Sequence, residues 1–255
     1  MSDLFMICGE LREVERTTAP RWVGGGPNPP NVVRLSTEQS LVLKDHHQKL
    51  LQNLYNKAIV PGTAPEKLKY GDIDILVDKR LPGFNRIKLL EALDAKHAAR
   101  PGHISSFAIL VPGELDKYFQ LGIHVCKQGY YGWETMKYSY GDLWHIISTI
   151  VTRYELMLNN TGLYIRVALQ RGDIKREGLF CLKSSPQEMM EFLRSDAVQY
   201  SSRFGTIDVG FRWCAASRLF RSDIFEKESV RDNGRRGQCI ANLLPSGCLH
   251  LIVHH

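Results

Sequence analysis

In the stretch Lys69-Tyr70-Gly71-Asp72-Ile73-Asp74-Ile75-Leu76-Val77, two carboxylates stand one residue apart at the leading edge of an apolar run rich in β-branched residues. In a strand, side chains at i and i+2 project from the same face, so Asp72 and Asp74 address one region of space. Paired carboxylates suit a divalent cation with a preference for oxygen. Mg2+ fits best, because it needs only one or two carboxylates and fills its octahedron with water and substrate phosphates; Mn2+ accepts the same donors. An Asp-x-Asp at a strand start is also what a solvated turn looks like, so the flanking elements must separate the two readings.

Upstream, Ser36 and Gln39 form a capping box, and Leu43, Leu50, Leu51, Leu54 and Ala58 recur at near-helical spacing. They predict a helix through Lys57, ended by Pro61-Gly62. Residues 1–34 contain Gly24-Gly25-Gly26-Pro27-Asn28-Pro29-Pro30, which cannot hold a helix, and read as a flexible N-terminal segment. Downstream, 87–99 reads as a second helix, and 106–111 with 118–126 as a hairpin that continues the sheet across Pro112-Gly113-Glu114. Asp142 is placed to cap an apolar helix over 143–158, and 163–168 follows the Asn160-Thr161-Gly162 turn as a strand. Ser185-Pro186-Gln187-Glu188 is a strong start signal for a helix over 187–193, and an amphipathic stretch covers 209–220. The segment 226–237 is charged and 239–255 is apolar without period. The organisation expected is a flexible 1–34, an α/β core over 35–135, a mainly helical part over 136–225, and an atypical, disordered tail over 226–255. No internal repeat is visible.

A 255-residue chain that is 44% hydrophobic can bury a real core. Lys and Arg outnumber Asp and Glu by 33 − 27 = 6, and a pI near 9.0 favours phosphate-rich partners, nucleic acid among them, without requiring one. The six cysteines form no C-x-x-C pair, which removes zinc-ribbon and thioredoxin readings and leaves reduced, structural thiols. No run of about 18 apolar residues exists, and the first nine residues are too interrupted for a signal peptide, so an intracellular protein, cytoplasmic or nuclear and with no membrane partner, is expected. Asn159-Asn160-Thr161 is then a chance glycosylation match. There is no Walker loop, no Gly-x-Gly-x-x-Gly and no His-Glu-x-x-His. Ser217 and Cys126 have no base at a telling spacing, which leaves hydrolase chemistry unsupported.

Lys67 and Lys69 flank the space before Asp72 and lower the cost of bringing phosphate there, unless they are simply solvated loop lysines. Arg153 and Arg166 are weaker candidates. Tyr130, Tyr131, Trp133, Tyr138 and Tyr140 can stack a base, although such a cluster is more often packing.

The order helix, Gly-containing loop, then Gly71-Asp72-Ile73-Asp74 entering an apolar strand resembles the polymerase-β-like nucleotidyltransferase superfamily. That family's motif is Gly-Ser or Gly-Gly at the end of a helix, Asp-hydrophobic-Asp on a strand, and a third Asp on a later strand. More narrowly, the chain is similar to a set of largely uncharacterised fungal proteins with that fold. The resemblance rests on 70–77, 105–107, 118–126, 140–143, 162–166 and 217–220, and so covers roughly residues 35–225. Asp-Ile-Asp alone is moderately specific; joined to Gln120-Leu121-Gly122-Ile123-His124-Val125-Cys126 and Tyr140-Gly141-Asp142-Leu143, it is much more so.

The resemblance implies an α+β fold, with a small mixed or antiparallel sheet and flanking helices followed by a mainly helical half. It implies Asp72 and Asp74 as catalytic metal ligands for Mg2+, or Mn2+, and a nucleoside triphosphate held by Gly62, Thr63, Lys67, Lys69 and Gly71. The usual Gly-Ser is Gly62-Thr63 here, a mild change because Thr63 keeps a hydroxyl donor. The third acid falls on Gly122, which has no group to hold the catalytic metal or draw a proton from the acceptor. His124 shares the Gly122 face but lies two residues, roughly 7 Å, along the strand. It is expected to reach a metal only if strand or ion moves, and is otherwise a hydrogen-bonded sheet residue. Asp78, Glu114 and Asp116 are the other acids that can substitute in space. Two functions follow: Mg2+-dependent transfer of a nucleoside monophosphate from a triphosphate to an unknown hydroxyl acceptor, impaired at Gly122, or an inactive scaffold that binds nucleotide, nucleic acid or a protein partner.

Overall fold

The computed structural model describes residues 31–99, 104–171 and 174–225. Most of the expected N-terminal segment and all of the expected tail lie outside the described residues. The described chain forms two compact bodies, one from residues 31–62 and 67–135, the other from 63–66 and 136–225.

The first body runs β1 (Leu35–Ser36), α1 (Thr37–Gln52), β2 (Ala58–Ile59), β3 (Lys69–Tyr70), β4 (Asp72–Val77), α2 (Arg86–Leu93), β5 (His97–Ala99), β6 (Ile104–Leu110), β7 (Tyr118–Val125) and most of α3 (Tyr131–Tyr138). Its five-stranded sheet has the order β2-β4-β7-β6-β5, with β4 and β7 parallel and the other pairs antiparallel. β1 and β3 make a separate two-stranded ladder. The expected mixed sheet and the 106–111/118–126 hairpin are both present.

The capping box opens α1 as expected, with Ser36 and Gln39 exchanging side-chain and backbone bonds. The helix stops at Gln52 rather than Lys57. Leu54 and Tyr55 turn back to donate their N–H groups to Leu51 O at 3.0 and 2.9 Å, and the reversed chain pairs Ala58 and Ile59 with Val77 and Leu76. The expected helix over 87–99 is also shortened. Asp94 adopts a left-handed conformation (φ 44°) that closes α2 at Leu93. His97, Ala98 and Ala99 then pair with β6, where a ladder partner outweighs the helix propensity of alanine.

Alternation along the strands separates two faces. Ile73, Ile75 and Val77 join Leu121, Ile123, Phe107, Ile109 and Phe119 in one buried cluster with Leu43 and Leu51 of α1 and Leu89 and Leu93 of α2. Each such side chain contributes about 1.5–3 kcal/mol on full burial, so register is strongly fixed. A one-residue slip would bury Asp72 and Asp74 and expose the isoleucines. The last residues of the expected flexible segment are tied down here: Val33 N–H donates to Tyr118 O (2.8 Å), and Asn31 Nδ2 donates to Asp116 (2.6 Å).

The buried stripe of α1 contains two ionisable groups, Lys44 and His47. His47 lies edge-on to Phe119 and bonds Leu43 O through Nδ1 at 2.7 Å. Burial pushes its pKa below the ordinary 6.5, with a lesser opposing effect from the Leu43 carbonyl and a small further lowering from His46. The unfolded chain therefore takes up a proton near 6.5 that the folded chain refuses until lower pH, so this histidine makes stability fall as pH drops below about 6.5. In urea titrations, the loss of stability from pH 7 to pH 5 should be smaller in His47→Leu than in the parent; equal losses would remove His47 as a cause.

The second body runs α4 (Asp142–Thr152), β8 (Leu156–Leu158), β9 (Leu163–Arg171), β10 (Ile174–Lys183), α5 (Pro186–Leu193), α6 (Ala197–Ser201), α7 (Ile207–Ala215) and a 3-10 turn (Ser222–Phe225). Alongside its helices, β10-β9-β8 form an antiparallel sheet. The long helix over 143–158 is in fact α4 followed by β8. Asp142 is its first helical residue rather than its cap, because the cap position falls on Gly141, where φ is 47°. Ser185 caps α5 through the Glu188 N–H, as the sequence predicts. The stretch 209–220 begins earlier, capped by Thr206, and ends at Ala215. Tyr140, Tyr200, Phe204 and Trp213 pack ring against ring in this body.

Candidate functional site

Parallel pairing of β4 with β7 sets Asp72 beside Gln120 and Asp74 beside Gly122, while β6 brings Ser106 to the other side of Gly122. Asp72, Asp74, Gln120, Gly122, His124 and Ser106 thus share the face opposite the apolar cluster. The two aspartates are together as the i, i+2 spacing predicts. Asp72 is exposed and Asp74 half-exposed, with 38% of its side chain accessible, whereas the His124 side chain is only 8% accessible.

His124 Nε2 lies 2.9 Å from Asp74 Oδ1. A carboxylate oxygen accepts, so Nε2 carries the proton and donates. His124 is thus a hydrogen-bonded sheet residue, one of the two expected readings, and its ring nitrogen lies beside the Gly122 position. A Cβ built on Gly122 would sit 3.3 Å from His124 Nε2 and inside van der Waals contact of Asp74 Oδ1. The place where the third acid is expected is filled by the Asp74–His124 pair, and Gly122 leaves the room for it. In this arrangement Nε2 is a donor to Asp74, and a protonated ring nitrogen has no lone pair to offer a metal.

None of the alternative acids joins the site. Asp78 follows the far end of β4, Glu114 pairs with Lys117 at 3.1 Å, and Asp116 accepts from Asn31. Among the described residues, no group of three or more His, Cys, Asp or Glu side chains could hold a metal ion. The donor set does not fit a two-metal centre. What remains is two carboxylates on one strand face, which fits one hard cation that shares its remaining positions with water and phosphate oxygens.

The residues expected to meet phosphate all lie on the chain between β2 and β4. Lys69 and Gly71 lie at the β3–β4 junction, and Gly71 has open space where a side chain would be. Lys67 Nζ stands 5.0 Å over the Tyr70 ring. Gly62 ends the first segment of this body, and Thr63 belongs to the second body. The residue that sequence reasoning missed is Lys44, whose Nζ lies 4.0 Å over the same Tyr70 ring. Burial first, then the Lys67 charge, lower its pKa to about 8, against an upward pull from Asp72. A signal existed: Ser40, Lys44, His47 and Leu51 recur at helical spacing, so a lysine falls on the stripe that faces the sheet.

Of the aromatic candidates, Trp133 and Tyr140 are buried and serve packing. Lys127, Lys57 and Lys137 lie over Tyr130, Tyr131 and Tyr138, respectively. Arg153 pairs with Asp223 at 3.3 Å, and Arg166 reaches Met157 Sδ, both in the second body. Cys126 is a buried thiol pushed up to about 12, chiefly by burial, and is no nucleophile at neutral pH. No described helix is long and apolar enough to cross a membrane. No family model and no curated protein matches the chain.

Proposed function

We propose that this is a nucleotidyltransferase-like protein that binds a nucleoside triphosphate with one Mg2+ through Asp72 and Asp74, and in which transfer chemistry is impaired. The observation that carries the reading is the Asp74–His124 bond beside Gly122. It supports retention of two acids on one face, with the imidazole N–H of His124 donating to Asp74 where the third acid is expected. Bound Mg2+ would neutralise phosphate charge; Asp72 and Asp74 would hold it. His124 keeps one oxygen of Asp74 engaged, which orients the carboxylate and reduces its capacity as a ligand. Gly122 itself has no group to accept the proton of an attacking hydroxyl, so binding survives better than turnover.

Isothermal titration with a non-hydrolysable triphosphate tests this. Binding should need Mg2+ and weaken about tenfold or more in Asp72→Ala, the loss expected when one charge-assisted contact of about 1.5 kcal/mol is removed. Metal-independent binding that Asp72→Ala leaves unchanged would overturn the metal assignment. Fast release of pyrophosphate on adding an acceptor would establish a competent transferase. An inactive scaffold that holds nucleotide predicts binding without any release of pyrophosphate, and one that holds nucleic acid or a protein partner predicts that neither nucleotide nor metal binds.

A further inference from the structure

β10 ends the β10-β9-β8 order, so among the described residues its outer backbone edge has no strand beside it. Four successive apolar residues of that strand, Leu179, Phe180, Cys181 and Leu182, are all exposed. Leu179 is 49% and Phe180 52% accessible, although alternation sends their side chains to opposite faces. A strand laid on a core hides one of its faces; this stretch hides neither. The register shift against β9 between Cys181 and Lys183 falls at the end of the run, so Gly178 to Cys181 are regularly paired. An apolar edge of this kind, with no charge or proline within the run, is a ready template for another strand.

The order of residues says which strand fits. In Glu177-Gly178-Leu179-Phe180-Cys181-Leu182-Lys183, an apolar run centred on Phe180 is flanked by one acid and one base at equal distances. Laid antiparallel on itself about Phe180, the strand sets Leu179 opposite Cys181, and each Glu177 opposite a Lys183 at the two ends of the contact. Arg176 falls opposite Ser184, so like charges do not face one another. An in-register parallel alignment would instead set Glu177 on Glu177 and Lys183 on Lys183, which is repulsive. We propose that β10 is the seat of a homodimer, in which it pairs antiparallel with β10 of a second copy across a two-fold axis at Phe180. The two three-stranded sheets then become one of six strands. Main-chain hydrogen bonds supply the affinity, and the apolar side chains of each copy cover those of the other. A two-fold contact closes on itself, so assembly stops at two. A single strand pair is smaller than the about 800 Å2 per partner of a standard interface, so a dissociation constant on the order of micromolar is expected. The dimer does not rest on the function proposed above.

The test is sedimentation velocity of the full chain under reducing conditions, over a concentration series of about 1–100 μM that brackets the expected constant. The parent should pass from monomer to dimer across the series. Phe180→Lys, which sets two ammonium groups on the axis, should stay monomeric while keeping the parent's far-UV circular dichroism, because an exposed side chain is not needed for the fold. Glu177→Lys and Lys183→Glu should each weaken the dimer about fivefold or more, and the double variant Glu177→Lys/Lys183→Glu should return to within about twofold of the parent. Leu115→Lys, at an exposed leucine of the first body, should dimerise like the parent. A parent that is monomeric throughout, or a dimer that Phe180→Lys leaves intact, overturns the proposal. So does a double variant that fails to recover, or growth beyond two copies.

Discussion

Gly122→Asp, which would supply the acid that the nucleotidyltransferase pattern calls for, should weaken this protein. The new Cβ would overlap Asp74 Oδ1 and crowd His124 Nε2. Asp74 would have to leave its 2.9 Å bond with His124, and two carboxylates would then face one another in the β4–β7 register. Overpacking of this kind costs about 1–3 kcal/mol, and like charges at a paired position add to it. The double variant Gly122→Asp/His124→Ser should behave differently. With the imidazole gone, Asp74 can rotate away, and three acids can share a cation. Mg2+ alone should raise its melting temperature and bind about tenfold or more tighter than to the parent, because affinity for hard cations grows with the number of charged ligands. Melts and Mg2+ titrations of parent, single and double variants decide the matter. If the single variant alone gains Mg2+ binding and pyrophosphate release, the Asp74–His124 pair is no obstacle and the chain is merely a slow transferase.

Gly162→Ala should be the most damaging single-methyl change in the second body. Gly162 has a φ of 157°, and a Cβ there would lie 2.5 Å from the backbone oxygen of Lys183 and 3.3 Å from the Tyr164 ring. A carbonyl fixed in the β9–β10 pairing cannot step aside as the tip of a side chain can, since Leu163 is paired with Lys183 in the ladder. Strained backbone and overlap together should cost about 3 kcal/mol. Chemical denaturation should show that loss. A change below about 0.5 kcal/mol, the range of neutral surface substitutions, would show that the turn has room.

Local chemistry made much of this readable. Ser36 with Gln39, Ser185 with Pro186 and Glu188, and the alternation in Asp72 to Val77 are short-range signals, each satisfied by groups a few residues away. The helix ends were misread for an equally physical reason. Residues 53–58 and 94–99 carry acceptable helical residues, and what stopped α1 and α2 was the availability of β4 and β6 as ladder partners. β10 escaped notice because its pairing with β9 is a tertiary event that its mixed polar and apolar sequence does not announce.

The same division runs through the candidate site. Spacing alone put Asp72 and Asp74 on one face, because the two-residue repeat of a strand is a covalent fact that any partner must respect. The strand parallel to β4, the placement of the His124 ring nitrogen beside Gly122 and the approach of Lys44 from α1 to Tyr70 join residues up to fifty positions apart. Such contacts depend on which apolar faces pack together once water is expelled, and a linear sequence carries that information only through the summed energetics of the core.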